Sequence, residues 1–316
     1  MARKSMGSNR QHLIAFAAML GLLVGGIAKT EAADYKYKFT KIADTAGDFS
    51  DFFGPPALNN DGVVAFSAKL ASGGPSGVFT GNGSGTTTIA DSSGPPFSHF
   101  GAPSLSDSGI LAFRVSLDVG ANAIVKTGGS MIVTIAVGLP GDNPSVNDDG
   151  AVAFWVQNNT GSGLFMSEGT TITPIAHAPG LSSRFRDNPS LSDRGAVAFL
   201  GFDAAGSGIF RWDGTGTTPK MIAHTSGPYS RLGLFPSLNN EGAVAFFADL
   251  DAGGSGIFVS NGTTTTKIAD HSGPFNSFGS APSINDEGVV AFWASTDAGG
   301  NGIFTGPDPG AHKVIA

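Results

Sequence analysis

Side chains able to do chemistry recur at one place in this sequence, directly after an Ile-Ala dipeptide. The segments read Asp91-Ser92-Ser93-Gly94-Pro95-Pro96-Phe97-Ser98-His99-Phe100, His177-Ala178-Pro179-Gly180, His224-Thr225-Ser226-Gly227-Pro228-Tyr229-Ser230-Arg231 and Asp270-His271-Ser272-Gly273-Pro274-Phe275. Imidazoles, carboxylates and guanidinium groups are what a polar binding face or an acid–base pair is made from. Read as long loops joining repeated units, these segments gather Asp91, His99, His177, Arg184, Arg186, His224, Arg231, Asp270 and His271 on one candidate binding face. The competing reading is that Gly-Pro-aromatic fills a gap between units and the Asp or His caps a strand end. A carbohydrate hydrolase or lyase would need two or more of Asp91, His177, His224 and Asp270 to converge within hydrogen-bond reach. No two histidines have i, i+2 or i, i+4 spacing, so metal ligation by them has no local signal.

Two other groupings invite a cation. Asn147-Asp148-Asp149-Gly150 and Asn285-Asp286-Glu287-Gly288 resemble oxygen-rich calcium turns, but the equivalent Ser192-Asp193-Arg194-Gly195 carries an arginine, and no Asp-x-Asp-x-Asp-Gly loop occurs. Asp249-Leu250-Asp251 has Lys69-Leu70-Ala71 as a counterpart. Turn chemistry therefore explains both better than calcium, and no cofactor is expected. The Gly-x-Ser-x-Gly, His-Glu-x-x-His and Gly-x-x-x-x-Gly-Lys-Ser/Thr patterns are absent.

These residues sit in a repeat that must position them. Asn/Ser-x-x-Gly-x-x-Ala-Phe occurs six times, its glycines Gly62, Gly109, Gly150, Gly195, Gly242 and Gly288 spaced 47, 41, 45, 47 and 46 residues apart. Such a period marks a repeat architecture. Pro-Ser/Ala-aliphatic precedes each copy, as in Pro236-Ser237-Leu238; Gly-aliphatic-Phe and Ile-Ala follow, as in Gly256-Ile257-Phe258 and Ile268-Ala269. Four short extended segments per repeat, separated by Asn, Gly and Asp turns, predict a four-stranded antiparallel meander. Val244 and Phe246 face one way and Ala243 and Ala245 the other, so both faces are apolar and both need covering. Radial stacking covers them. The expectation is an all-β, six-bladed β-propeller with Pro-Ser-Leu innermost and Ile-Ala outermost; seven blades or an open β-repeat array are the alternatives. Lys41-Ile42-Ala43-Asp44 and Val314-Ile315-Ala316 compete for the last outer position.

Repeats such as Pro236-Ser237-Leu238-Asn239-Asn240-Glu241-Gly242-Ala243-Val244-Ala245-Phe246 resemble the bacterial choice-of-anchor tandem repeat proteins named for their NxxGxxAF motif. They are similar, more distantly, to the repeats of TolB-type and WD40-like propellers. The likeness spans roughly residues 39 to 316. It implies an exported bacterial surface protein of unknown biochemistry and leaves attachment to the surface open, since the family's sorting segment has no counterpart before Ala316.

Residues 1–32 read as a signal peptide: Arg3, Lys4 and Arg10 form a basic start, Leu13 to Val24 an apolar run, and Thr30-Glu31-Ala32 a cleavage site. The remainder, 33–316, is expected to be one propeller domain. Cleavage removes four basic residues and one acid, taking the formal charge from −7 to −10, which disfavours nucleic acid and anionic lipid as partners. Cysteine is absent, which excludes disulfides and Cys-based zinc sites. The sequence thus reads as an exported, non-catalytic binding scaffold whose partner is an envelope protein or polysaccharide. A carbohydrate-active hydrolase or lyase and a purely structural surface component are the rivals.

Overall fold

The computed structural model describes residues 40–306 apart from 129–130, 159–160, 178–187 and 217, together with the backbone of 313–314. Among these residues every regular element is a strand, and every pairing between strands is antiparallel. The fifth repeat shows the unit. Its inner strand comes in two pieces, Tyr229–Leu232 and Ser237–Leu238, both paired with Val244–Leu250. The sheet continues through Ser255–Ser260 to the outer strand Thr265–Asp270.

The octapeptide owes its form to the first hairpin. Asn239 Oδ1 accepts from the Ala243 N–H at 2.8 Å while the Gly242 N–H donates to the Asn239 carbonyl. Asn59, Ser106, Asn147, Ser192 and Asn285 cap the residue four positions on in the same way. The six glycines take φ between +74° and +82°, a region that a Cβ makes costly. Asn or Ser at the first position and Gly at the fourth are therefore set by one turn made six times.

One expectation needs correcting. Phe97–Phe100, Tyr229–Leu232 and Phe275–Phe278, which the sequence places in long loops, are strands. In the fifth and sixth units the aromatic that opens the strand is buried against the Phe pair of its own sheet: Tyr229 meets Phe246 and Phe258 edge-on at 5.8 and 5.5 Å, and Phe275 meets Phe304 at 4.8 Å; in the second, half-buried Phe97 meets Phe100 at 6.1 Å. Packing of that ring turns the segment from a loop into the outer end of the inner strand. The same logic explains the short 41-residue spacing. There the Gly-Pro turn is missing, and Met131–Pro140 serves two units, pairing with Asn122–Gly128 along most of its length and with Val156 and Gln157 through Pro140 and Leu139.

Successive units stack face to face. The Ala side of one sheet packs on the Phe side of the next: Ala245, Phe247 and Ile257 of the fifth lie on Val290, Phe292 and Phe304 of the sixth. Equivalent cores join the first four junctions. Burying each Phe is worth about 1.5–3 kcal/mol, so stacking supplies stability that a lone meander lacks. The Pro-Ser-aliphatic strands touch one another in sequence order, which puts them innermost as expected. Each serine ties its neighbour, Ser104 Oγ accepting from the Val146 N–H, Ser145 from Leu191, Ser190 from Leu238 and Ser237 from Ile284, all at 3.0 or 3.1 Å.

The two terminal faces differ from the five junctions. Lys313–Val314 pairs with Asn301–Gly306, so the C-terminal segment takes the outer position of the sixth sheet. Ile42 and Ala43 instead lie on the Phe side of the first sheet, beside Phe66 and Phe79. On the far side of the sixth sheet Trp293 is 40% and Ile303 38% exposed, where Phe247 and Ile257 one unit earlier are 4% and 0% exposed.

Candidate functional site

The structure spreads the sequence-derived candidates over several sheets, at the ends of outer strands or on the outer halves of inner strands. Asp91 ends the first outer strand and accepts from the Ser93 N–H and Oγ–H at 2.9 and 2.5 Å. Asp270 does the same for Ser272 at 3.0 and 2.5 Å and also binds Lys267 Nζ at 2.7 Å. Burial pushes its carboxyl up, but the bonds from Lys267 and Ser272 outweigh it, so its pKa lies below the ordinary value of 3.8. His271 accepts the Ser255 N–H at Nδ1 and donates from Nε2 to the Asn276 carbonyl at 2.7 Å, so both nitrogens serve backbone. His99 lies exposed on its strand. Arg231 pairs with Asp249 at 2.6 Å and lies over the Phe247 ring at 5.2 Å. His177 ends the outer strand of the third unit opposite Gly163; Arg184 and Arg186 lie outside the described residues.

No pair among Asp91, His224 and Asp270 is brought together. Each bonds within its own unit, and each ends an outer strand, the position farthest from the shared inner strands. His224 alone gathers further chemistry, with Ser226 at 2.8 Å and Asp203 at 3.2 Å.

The acidic turns have a structural occupation. Asp107 Oδ1 accepts from the Asn60 N–H, Asp148 from Ser108, Asp193 from Asp148 and Asp286 from Asn240, so carboxylates staple each inner turn to the one before it. Asn240 fills the same role for Asp193. Among the described residues no group of three or more His, Asp or Glu gathers around a point that could hold a metal.

What the loop reading missed is the axis. A cavity of about 280 Å³ is lined by Pro55 and Pro56, Pro103, Pro144, Pro189 and Pro236, the same position in five consecutive units. Asn143 and Asn188 stand just ahead of two of these prolines; Asn143 Nδ2 donates to Asn188 Oδ1 at 2.7 Å, and Asn188 Nδ2 to the Leu234 carbonyl at 3.3 Å. Phe235, partly exposed, adds an aromatic face. The lining carries no ionisable side chain, so it suits an uncharged surface that offers hydrogen bonds and apolar contact. The recurring proline was visible in the sequence, but its convergence on one cavity depends on how the units turn about the axis.

No family model matches the chain, and no curated protein matches it. Solved structures do. Prolyl oligopeptidase B from Galerina marginata aligns with 86% of this chain at 10% identity and a TM-score of 0.57, the match spanning 43% of that protein. A puromycin-hydrolyzing peptidase of Mycobacterium tuberculosis aligns with 84% of this chain at 11% identity and a TM-score of 0.51, spanning 53% of that protein. The six-bladed β-propeller lectin of Aleuria aurantia aligns with 85% of this chain and 96% of its own at 12% identity and a TM-score of 0.44. At such identities the likeness concerns fold alone: the chain has a β-propeller repeat fold.

Proposed function

We propose that this protein is an exported recognition module, a six-unit β-propeller that holds an uncharged segment of a polysaccharide or envelope protein at its axis without reacting with it. The observation that carries this reading is the convergence of one proline position from five units on a single cavity. A site assembled from repeats fixed by the Ser-to-backbone bonds between neighbours is rigid before its ligand arrives, which lowers the cost of ordering it. The cavity lies at the lower end of the range for small-ligand sites, fitting one sugar ring or a short side chain better than a large cofactor. Export is supported by the basic, apolar and small-residue succession in residues 1–32.

A glycan array together with capture from envelope extract tests the reading, using the chain from residue 33 onward and a Phe235→Ala variant. The expected result is capture of a neutral glycan or an envelope protein, weakened about tenfold by Phe235→Ala. Capture that is indifferent to Phe235, or no capture in either format, overturns it.

A further inference from the structure

Away from the axis, three side chains of the fourth unit form a hydrogen-bonded series that the recognition reading does not use. Ser226 Oγ lies 2.8 Å from His224 Nδ1, and His224 Nε2 lies 3.2 Å from Asp203 Oδ1. The Ser226 N–H also donates to Nδ1 at 2.9 Å, which fixes the tautomer: Nδ1 carries the lone pair, and Nε2 holds the proton that it donates to Asp203. The imidazole is buried, 6% exposed, whereas Ser226 is open to solvent. Asp203 is itself fixed by the N–H groups of Ala205 and Gly206 at 2.8 and 3.1 Å. Those donors, Ala205 first, together with His224, hold its carboxyl below the ordinary carboxylate value.

The repeat supplies internal controls. In the first and fifth units the same turn is closed by Asp91 on Ser93 and Asp270 on Ser272. A carboxylate is therefore sufficient for the turn. In the fourth unit an imidazole replaces it, a far better proton acceptor near neutral pH. Asp203 stands where three other repeats have Leu70, Leu117 and Leu250 and the remaining two have Asn158 and Thr296, so it is the one carboxylate at this position. In the fourth unit the imidazole and the carboxylate meet each other, and together with Ser226 they give the order hydroxyl, imidazole, carboxylate that activates a serine.

We propose that Ser226, His224 and Asp203 form a nucleophilic serine centre that transfers the acyl group of a small, uncharged carboxylic ester to water. A pocket of about 440 Å³ between the outer edges of the fourth and fifth units holds His224 and Ser226, with Met221, Ile222, Pro228 and Tyr229 as an apolar wall for the acyl chain. In the first half-reaction Ser226 Oγ bonds to the acyl carbon as the ester C–O bond breaks. The hydroxyl proton passes to His224 Nδ1 and on to the departing alcohol oxygen. In the second, water adds to the acyl-serine, its proton goes to Nδ1, and Ser226 leaves, recovering that proton as the free acid departs. Asp203 stays ionised throughout and acts as a positioning residue, steadying the imidazolium through Nε2.

The test is labelling of the intact protein by an alkyl fluorophosphonate, with the modified residue located by peptide mass spectrometry and the rate followed at each serine. The expected label sits on Ser226 and forms about 100-fold faster than on the carboxylate-held Ser93 and Ser272. Ser226→Ala, at an exposed position, abolishes it together with hydrolysis of p-nitrophenyl acetate above the buffer rate. Asp203→Asn slows labelling about tenfold and lowers kcat for p-nitrophenyl acetate with KM unchanged, because the imidazole loses the group that orients it. Absence of label on Ser226, or equal rates at the three serines, overturns the proposal; an unchanged kcat in Asp203→Asn removes Asp203 from it. Neither outcome bears on axial binding, which Ser226→Ala leaves unchanged.

Discussion

The most informative single residues are those that make the first hairpin, because six copies allow one position to be changed while its equivalents stay intact. Gly288 has φ +81° and no heavy atom within 4 Å of where a Cβ would stand, so Gly288→Ala isolates backbone strain from crowding. The expected cost in a urea melt is about 1–2 kcal/mol, the penalty for a left-handed L-residue. Gly242 has nearly the same φ, but a Cβ there meets the Nη1 end of Arg211 at 2.8 Å, and moving that end breaks its bond to the Gly242 carbonyl, so Gly242→Ala costs more than Gly288→Ala. Asn239 is buried and does two things, capping Ala243 and donating from Nδ2 to the Asn285 carbonyl of the next unit at 3.0 Å. Asn239→Ala is expected to cost about 2–3 kcal/mol in the same melt, against about 1 for Asn285→Ala, which loses only a solvent-exposed cap. Asp270 adds a pH dependence. Its pKa is lower folded than unfolded, so the stability that it contributes is complete above the unfolded value near 3.8 and is lost as pH falls through the folded one. Asp270→Asn removes that contribution at neutral pH and flattens the acid limb of a Tm-against-pH curve, which calorimetry would record.

At the scale of the strand, periodicity made the second, third and outer strands legible, since alternation and the glycine turn name them directly. The outer half of the inner strand was not legible, because Ser-Gly-Pro ahead of Tyr229 or Phe275 carries the composition of a loop and only the packed ring reveals a strand. The same segment carries candidate site residues: His99 and Arg231 lie on strands, and Asp91, His224 and Asp270 end outer strands, while the prolines that line one cavity had been read only as part of the innermost strand. The Ser226 and Asp203 contacts of His224 were hidden for a related reason: Asp203 lies at the end of a strand where the repeat varies between leucine and polar residues, 21 residues from its partner. The strand assignment has its own test. Phe275 is almost wholly buried between Phe292 and Phe304, so Phe275→Ala is expected to lower unfolding free energy by about 3–5 kcal/mol. A loop aromatic lying on the surface would cost less than 1, and a denaturant melt separates the two.

Across the whole molecule, stability is a sum over junctions, and the junctions are not all alike. Five are built from the same Ala-on-Phe core, while Ile42 and Ala43 cover part of the first sheet in the manner of a preceding unit's outer strand: Ile42 lies beside Gly81 and Thr40 beside Gly83, as Ile222 and Lys220 lie beside Gly262. That segment therefore belongs to a unit position ahead of the first sheet, not to the sixth sheet, whose outer place Lys313–Val314 takes. The terminal faces follow from this arrangement. Leu58 is 68% exposed on one side, and Trp293 and Ile303 are open on the other. Matched substitutions at one repeat position measure the difference. Ile257→Ala, inside the fifth junction, is expected to cost about 2–5 kcal/mol, because its cavity cannot collapse between two sheets. Ile303→Ala removes the same atoms from a half-open face and is expected to cost about 1 kcal/mol or less. Equal costs would mean that another sheet covers Ile303 in solution and closes the circle; the predicted gap means that the stack carries its terminal faces unshielded, and that unfolding begins at the sixth sheet, where hydrogen exchange in Asn301–Gly306 is then expected to run ahead of Ser255–Ser260.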